Sequence, residues 1–472
     1  MPSNPADAHP EASPRIIRTQ QPLLALLIRL HFYVGLLVGP FIFVAALSGL
    51  IYALTPQIEH RLYAEQLYAD STGAALPLAR QIAVAQQYMG EAATLSAVRP
   101  APEPGATTRV MFKAPGLGDS ESRAVFVDPV TAEIRGDLKV YGTTGVLPLR
   151  TWLDQFHRSL LLGEAGRVYS ELAASWLWVA ALGGFVLWLS RRRRTPGTAP
   201  SKGLRRWHAS LGVCLLIGLL FFSATGLTWS RWAGDNIGVA RAALGMSTPS
   251  VSTALVAGAA EPAGEHAHHT GTTVAPTSRP GPSSADATLF DAVLAAARSA
   301  GIDAGKIEIV PASGPGRAWT VTEIDRSWPT QVDAVAVDPR TMYITDRIDF
   351  ATFPMAAKLT RWGIDAHMGS LFGLANQLLL AVTAFGLATL VAFGYLMGWR
   401  RWTQRRVRQP RLVEVLAGLS ARARWLAAAV ALVVGYCLPV LGASLALFLV
   451  IDCLLAAPWR SRSDVVRQTQ DG

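Results

Sequence analysis

Apolar residues in this chain gather into long runs, separated by stretches in which they alternate with polar ones. Residues 23–54, 169–190, 208–230 and 375–399 are each apolar over about the 20 residues that carry a helix across a bilayer. A fifth stretch, from Trp425 to Trp459, is too long for one ordinary span and is interrupted by Pro439. Arg422 and Arg424 precede it and Arg460 and Arg462 follow it, which favours a two-helix hairpin with both ends on one side of the membrane. A single kinked helix is the alternative.

The stretches between the runs have other periods. The pattern predicts a helix over 76–88 followed by strands at 95–98, 108–113 and 124–127. It predicts the same order later, with a helix over 287–299 and strands at 307–310, 318–324 and 332–337. Val127-Asp128-Pro129 and Val337-Asp338-Pro339 lie 210 positions apart, so the two stretches read as copies. Residues 231–285 read as a disordered insertion, rich in Gly, Ser, Thr, Pro and Ala from 245 onward. It carries His266, His268 and His269, which read as part of a solvated linker because no acid or cysteine joins them at a ligand spacing.

Composition agrees with a membrane protein: of 472 residues, 51% are hydrophobic and only 16% charged. The formal net charge of +10 raises the question of nucleic acid, but the arginines sit beside the apolar runs. Arg15, Arg18 and Arg29 lie near the start of the first, Arg191–Arg194 after the second, and Arg400, Arg401, Arg405 and Arg406 after the fourth. That is the positive-inside distribution, which places both termini and the loop 191–206 in the cytoplasm of a bacterium and argues against a nucleic-acid partner. The first run is longer than a signal-peptide core and lacks a small-residue cleavage site, so it reads as an anchor. The three cysteines, Cys214, Cys437 and Cys453, all fall in apolar runs, and no Cys-x-x-Cys-His occurs, which excludes covalently attached c-type haem.

The predicted fold is therefore mainly α: a duplicated transmembrane bundle of four core helices plus a C-terminal hairpin, with two external α+β modules. Its segments are a tail (1–22), the first span (23–54), module one (55–150), an interfacial segment with the second span (151–190), and a loop (191–206). There follow the third span (207–230), the insertion (231–285), module two (286–355), and an interfacial segment with the fourth span (356–399). A loop (400–423), the hairpin (424–459) and a tail (460–472) complete the chain.

The candidate chemistry lies in four histidines at repeated positions. His31 and His208 open the first and third runs, 177 positions apart, and each is followed after four residues by glycine (Gly35, Gly212) and after eighteen by another (Gly49, Gly226). His157 and His367, 210 positions apart, each precede a glycine by six, Gly163 and Gly373. With the termini inside, the topology sorts them into an inner pair, His31 with His208, and an outer pair, His157 with His367. Two imidazoles facing each other across a helix bundle supply both axial ligands of a b-type haem without covalent attachment. Eighteen residues are five helical turns, so Gly49 and Gly226 are expected on the histidine face, about 27 Å along the axis, where a bare surface would admit a second macrocycle. Helix–helix contact through small residues accounts for the same glycines equally well. A straight helix from His157 to Arg191 would be about 51 Å long, so a bend near Gly163 and Gly166 is expected, with Trp152 and Phe156 as surface anchors.

The chain resembles the PepSY-associated transmembrane family of iron-regulated membrane proteins, some of which are similar to ferric-siderophore reductases. The match rests on Leu30-His31 with Gly35 and Ser48-Gly49, on His157-Arg158-Ser159-Leu160 with Gly163, Gly166 and Arg167, and on Asp128-Pro129-Val130-Thr131 with its copy Asp338-Pro339-Arg340-Thr341. The second outer motif, His367-Met368-Gly369-Ser370, lacks the arginine and any counterpart of Gly166. The resemblance implies PepSY-like modules in the periplasm, two bis-histidine haem b groups in an inner-membrane protein, and electron transfer to an external ferric siderophore or similar Fe(III) chelate. The sequence holds no nucleotide- or flavin-binding glycine motif, so a separate donor, a quinol or a cytoplasmic reductase, is expected. The competing reading is a non-enzymatic protein whose modules bind or regulate an envelope peptidase or other partner.

Overall fold

The computed structural model describes residues 22–118, 120–142, 145–194, 203–255, 286–403 and 411–468. The molecule is mostly helical, with one antiparallel sheet. Among the described residues three helices are long and apolar enough to cross a membrane: Leu23–Ala53, Gly163–Arg192 and Gly373–Arg400, the first, second and fourth spans below. Leu204–Cys214 and Leu216–Thr228 form the third span only as a pair, bent by 61°. The spans pack around Val34, Val38, Trp176, Leu219, Leu387 and Leu390. Their outward faces are bare apolar surface, as at Leu379, Val382 and Phe385, which suits a lipid solvent.

The first span is not a regular α-helix. Val34–Val38 is a π-helical turn, and Tyr395 of the fourth span donates from its hydroxyl to the Leu36 carbonyl at 2.6 Å. Such a turn rotates everything beyond it relative to what precedes it, so the faces of His31 and Gly49 are not related by a simple 3.6-residue count.

The alternating stretches form the strands expected and two more. β1 (Thr94–Arg99), β2 (Thr108–Lys113), β3 (Glu121–Val127) and β4 (Ile134–Tyr141) come from the first stretch. β5 (Ile307–Val310), β6 (Trp319–Glu323), β7 (Ala334–Val337) and β8 (Ile344–Ile348) come from the second. All eight join in one antiparallel sheet of order β4-β3-β2-β1-β5-β6-β7-β8. The two stretches thus share one layer, where two separate modules were expected. The seam is the β1–β5 pair, pinned by Arg99, whose Nε donates to Glu308 Oε2 at 2.7 Å. Helices Leu78–Met89 and Leu289–Ser299 lie over one face and share a core with it, built from Ile82, Val98, Val110, Phe290, Ile309 and Val321.

Both Asp-Pro turns are built alike. Asp128 accepts from the amides of Val130 and Thr131, and Asp338 from that of Arg340. Four residues after each aspartate stands a non-glycine residue with positive φ, Ala132 at 60° and Met342 at 59°.

Two segments depart from the sequence reading. The supposed insertion begins with a helix, Trp232–Ala243, whose first amides are held by the buried Glu171 carboxylate at 2.9 and 3.0 Å. A carboxylate at a helix N-terminus meets both the unpaired donors and the dipole. Past that helix, the Ser252 amide donates to Asp346 and the Ala318 amide to the Thr253 carbonyl, so the chain runs beside the sheet. His266, His268 and His269 lie outside the described residues. At the other end of the chain, helices Ala421–Cys437 and Pro439–Gln468 meet at Gly435 and Gly442, where a Cβ on Gly435 would come within 3.1 Å of the Gly442 Cα. Seven residues along one continuous helix would stand about 10 Å apart, so the chain reverses at Leu438.

Candidate functional site

His157 belongs to the amphipathic helix Pro148–Ser159, which opens on a proline in its first turn and buries Leu153 while Trp152, stacked on Phe156, faces out. The helix stops hard. Leu160 and Leu161 take left-handed backbone conformations, and the second span starts at once with Gly163. Gly166 sits so close to the end of the amphipathic helix that a Cβ there would lie 1.8 Å from the Ser159 carbonyl oxygen. The chain therefore folds back on itself, which resolves the excess length of a straight helix and lays His157 against the first span.

There Ser48 Oγ lies 2.9 Å from His157 Nδ1, and a Cβ on Gly49 would come within 3.2 Å of His157 Cε1. The hydroxyl has one proton, and it goes to the Val44 carbonyl at 2.8 Å. Ser48 is thus the acceptor and His157 Nδ1 the donor, which leaves the Nε2 lone pair for a ligand. The same arrangement holds His367, the last residue of the helix Met355–His367. Thr225 Oγ1 lies 2.7 Å from His367 Nδ1 and gives its own proton to the Phe221 carbonyl at 2.6 Å. Ser48 and Thr225 are 177 positions apart, like His31 and His208. The rings of Phe221, Phe222 and Trp229 surround His367 with centroids at 5.5–6.1 Å.

The inner pair is in contact directly. His31 and His208 have ring centroids 6.3 Å apart and planes at 81°. Two imidazoles on opposite sides of one metal ion have centres about 6 Å apart, given metal–nitrogen bonds of about 2 Å. His208 Nδ1 lies 3.1 Å from the Leu390 carbonyl, which can only accept, so here too Nδ1 carries the proton and Nε2 is left free. His31 Nδ1 is buried without a hydrogen-bond partner. Each ring borders a glycine: a Cβ on Gly184 would come within 3.1 Å of His31 Cε1, and one on Gly394 within 4.0 Å of His208 Cε1. Those glycines are 210 positions apart, like the outer histidines.

Burial holds the His367 imidazolium off, lowering its pKa to about 3, with a smaller push from His157. Burial lowers His157 as well, against the pull of Asp154. Both outer rings are therefore neutral at physiological pH, the state in which histidine binds metals. Behind His367, buried Asp365 bonds Arg361 at 2.9 Å and faces Arg326, from the β6–β7 connection, at 3.6 Å. That connection fixes the sheet to the helix that carries His367. Among the described residues no group of three or more His, Cys, Asp or Glu comes together as a metal site.

A contacting histidine pair on the first and third spans, with two further histidines held by hydroxyls of those same spans beneath a sheet of two like halves, points to a family. The profile of the PepSY-associated TM region matches residues 28–401. The chain belongs to this family. No curated protein matches the chain. The segment matched by the PepSY-associated TM region contains all four histidines and the whole sheet, and leaves the C-terminal helix pair outside.

Of the residues singled out from the sequence, His31 with His208 and Gly49 with His157 are brought together. Gly226 is not the equal of Gly49. A Cβ on it would meet Ala174 of the second span at 3.2 Å, the close helix contact that was the alternative account of this glycine. The break at Leu215 turns the second half of the third span away from the register counted from His208. The missing counterpart of Gly166 also has an explanation: Asn376 stands there and donates from Nδ2 to the Ala366 carbonyl at 2.8 Å, securing the corresponding turn. Ser48 and Thr225 were missed as site residues, although a hydroxyl residue before glycine at both places was the available signal.

Proposed function

We propose that this protein is a di-haem b oxidoreductase of a bacterial inner membrane, passing electrons outward to a ferric siderophore or similar Fe(III) chelate. The observation that carries the reading is the repeated pinning of imidazole Nδ1, by Ser48, Thr225 and the Leu390 carbonyl, which leaves Nε2 lone pairs on His157, His367 and His208. Two imidazoles alone do not complete the sphere of a free metal ion, but they complete that of a metal whose other donors come with a macrocycle. Glycines 49, 184 and 394 beside the rings, and the unpartnered Nδ1 of His31, fit such a group. When bound, haem accepts and releases one electron at a time, which suits reduction of Fe(III).

In this reading His31 and His208 hold the inner haem near the arginine-rich, cytoplasmic end, and His157 and His367 hold the outer haem under the periplasmic sheet. The spans are a duplicated bundle around both pairs. Fe(II) binds hard oxygen ligands less well than Fe(III), so reduction frees the metal from its chelate. The donor, a quinol or a cytoplasmic reductase, is a separate molecule.

The test uses the full chain, loaded with haem, in vesicles with reductant enclosed and a ferric chelate plus an Fe(II)-trapping dye outside. Outward reduction is expected, with a loss of at least about tenfold in His208→Ala. Equal rates in protein-free vesicles, or in the variant, would overturn the reading.

A further inference from the structure

The two outer histidines are alike in their hydroxyl partners, but three arginines near them are not repeated between the two halves of the chain. Arg158 follows His157 directly; its Nη2 donates to the Tyr141 hydroxyl at 2.9 Å, and its Nε is buried without a hydrogen-bond partner. Arg167, on the second span, is 6% exposed and donates from Nη2 to the carbonyl of Trp229 at 3.0 Å, the residue whose ring stands 5.7 Å from His367. Arg231 follows two residues later. Glu164, 70% exposed, stands 3.8 Å from both Arg167 and Arg231, Asp154 is 3.9 Å from Arg158, and the buried Glu171 carboxylate accepts from the amides of Trp232 and Ala233. The positions corresponding to Arg158 and Arg167 at an offset of 210 are Met368 and Gln377, and the position corresponding to Arg231 at 177 is Leu54. The arginines beside His367 are different ones and are already engaged: Arg326 and Arg361 face the buried Asp365, and Arg150 donates to the Met368 carbonyl. Arg158, Arg167 and Arg231 lie at the end of the bundle away from the arginine-rich loops, where the positive-inside distribution would disfavour them.

We propose that Arg158, Arg167 and Arg231 form a carboxylate site beside the outer histidine pair, receiving the two propionates of the tetrapyrrole held there. The proposal rests on the di-haem reading and deepens it. Haem b carries both propionates on one edge, and a cluster of guanidiniums matches one anionic edge. Guanidinium is the side chain suited to bidentate, partly buried carboxylate recognition. The three arginines then fix which way round the macrocycle lies, and their charge favours the reduced haem, raising its potential.

The test compares haem with haem dimethyl ester, which lacks the carboxylates, by titration into the full-length apoprotein, read from the Soret band. His31→Ala removes the inner site and isolates the outer one. In that background the outer site should prefer haem to its ester by at least about tenfold. In Arg158→Gln/Arg167→Gln the preference should vanish and the haem midpoint potential fall, with Arg158→Lys restoring part of both. Thermal unfolding of each apoprotein checks that the substitutions leave the fold in place, and Arg231→Gln alone, at a position more exposed than Arg167, should show a smaller effect of the same sign. Haem bound with no preference over its ester, or an unchanged preference in the double variant, would overturn the proposal while leaving the di-haem reading intact. Arginine variants that bind both porphyrins as the parent does, but reduce an anionic Fe(III) chelate more slowly, would assign the cluster to the chelate instead and also overturn it. Absence of a Soret shift with either porphyrin in the unsubstituted protein would remove the di-haem reading itself.

Discussion

Thr225 Oγ1 lies 2.7 Å from His367 Nδ1, and it accepts that hydrogen bond because its own proton is committed to the Phe221 carbonyl. Ser48 and His157 repeat the arrangement at 2.9 Å. Each hydroxyl therefore orients an outer ligand ring and selects its tautomer. Thr225→Val and Ser48→Ala should each weaken outer haem binding by about tenfold while leaving the inner haem in place, since loss of such outer partners typically costs 10–100-fold. Haem titration in the His31→Ala background checks this; unchanged affinity in both variants would show that neither hydroxyl positions its ring.

Gly49 and Gly226 occupy equal places in the sequence repeat and unequal places in the structure. Gly49→Val would push into His157, so it should lower the haem content of the outer site. Gly226→Val would instead crowd Ala174 and cost about 1–3 kcal/mol of stability through overpacking, with each site able to bind haem. Haem per chain and thermal unfolding, measured together, separate the two effects.

Gly166 permits the fold-back that brings His157 to the first span. With a Cβ 1.8 Å from the Ser159 carbonyl, even Gly166→Ala forces the helix and the span apart. The expected result is a loss of more than about 3 kcal/mol, or failure to accumulate in the membrane. Asn376→Ala, which removes one hydrogen bond from the corresponding turn, should cost only about 1–2 kcal/mol.

The Asp-Pro turns supply a pH-dependent prediction. Although burial pulls it upward, hydrogen bonds from Ser71, Val130 and Thr131 hold the Asp128 carboxyl below its usual pKa. Its contribution to stability is therefore present above the unfolded-state value of about 3.9 and is lost as pH falls through the lower folded value. Asp128→Asn should destabilise the sheet near neutrality and make little difference at the acid end, as read by thermal unfolding across pH. In the same turns Ala132→Gly and Met342→Gly should relieve positive-φ strain, each stabilising by up to about 1 kcal/mol.

The sequence made the spans, the approach of His31 to His208 and six of the eight strands legible, because each has a strong period or a repeat. β4 and β8 escaped since they are the sheet edges, half-exposed on both faces and interrupted by charge, as in Ile344-Thr345-Asp346-Arg347-Ile348. The union of the two halves in one sheet escaped too, because the β1–β5 seam is a long-range pairing that neither strand's pattern encodes. Gly226 meets Ala174 and not an imidazole because helical counting assumes an unbroken helix, and the third span bends at Leu215. The fold-back at Leu160–Gly163 was anticipated from length alone, but the hydroxyl contacts it creates join segments about a hundred residues apart and have no local signature.

The central claim is that the inner and outer histidine pairs each hold a haem. A dithionite-reduced minus oxidised spectrum of the purified full chain, with haem counted per polypeptide, tests it most directly. Two b-type haems per chain are expected, one lost in His31→Ala or His208→Ala and the other in His157→Ala or His367→Ala. No haem, or a haem content that none of the four substitutions changes, would contradict the account.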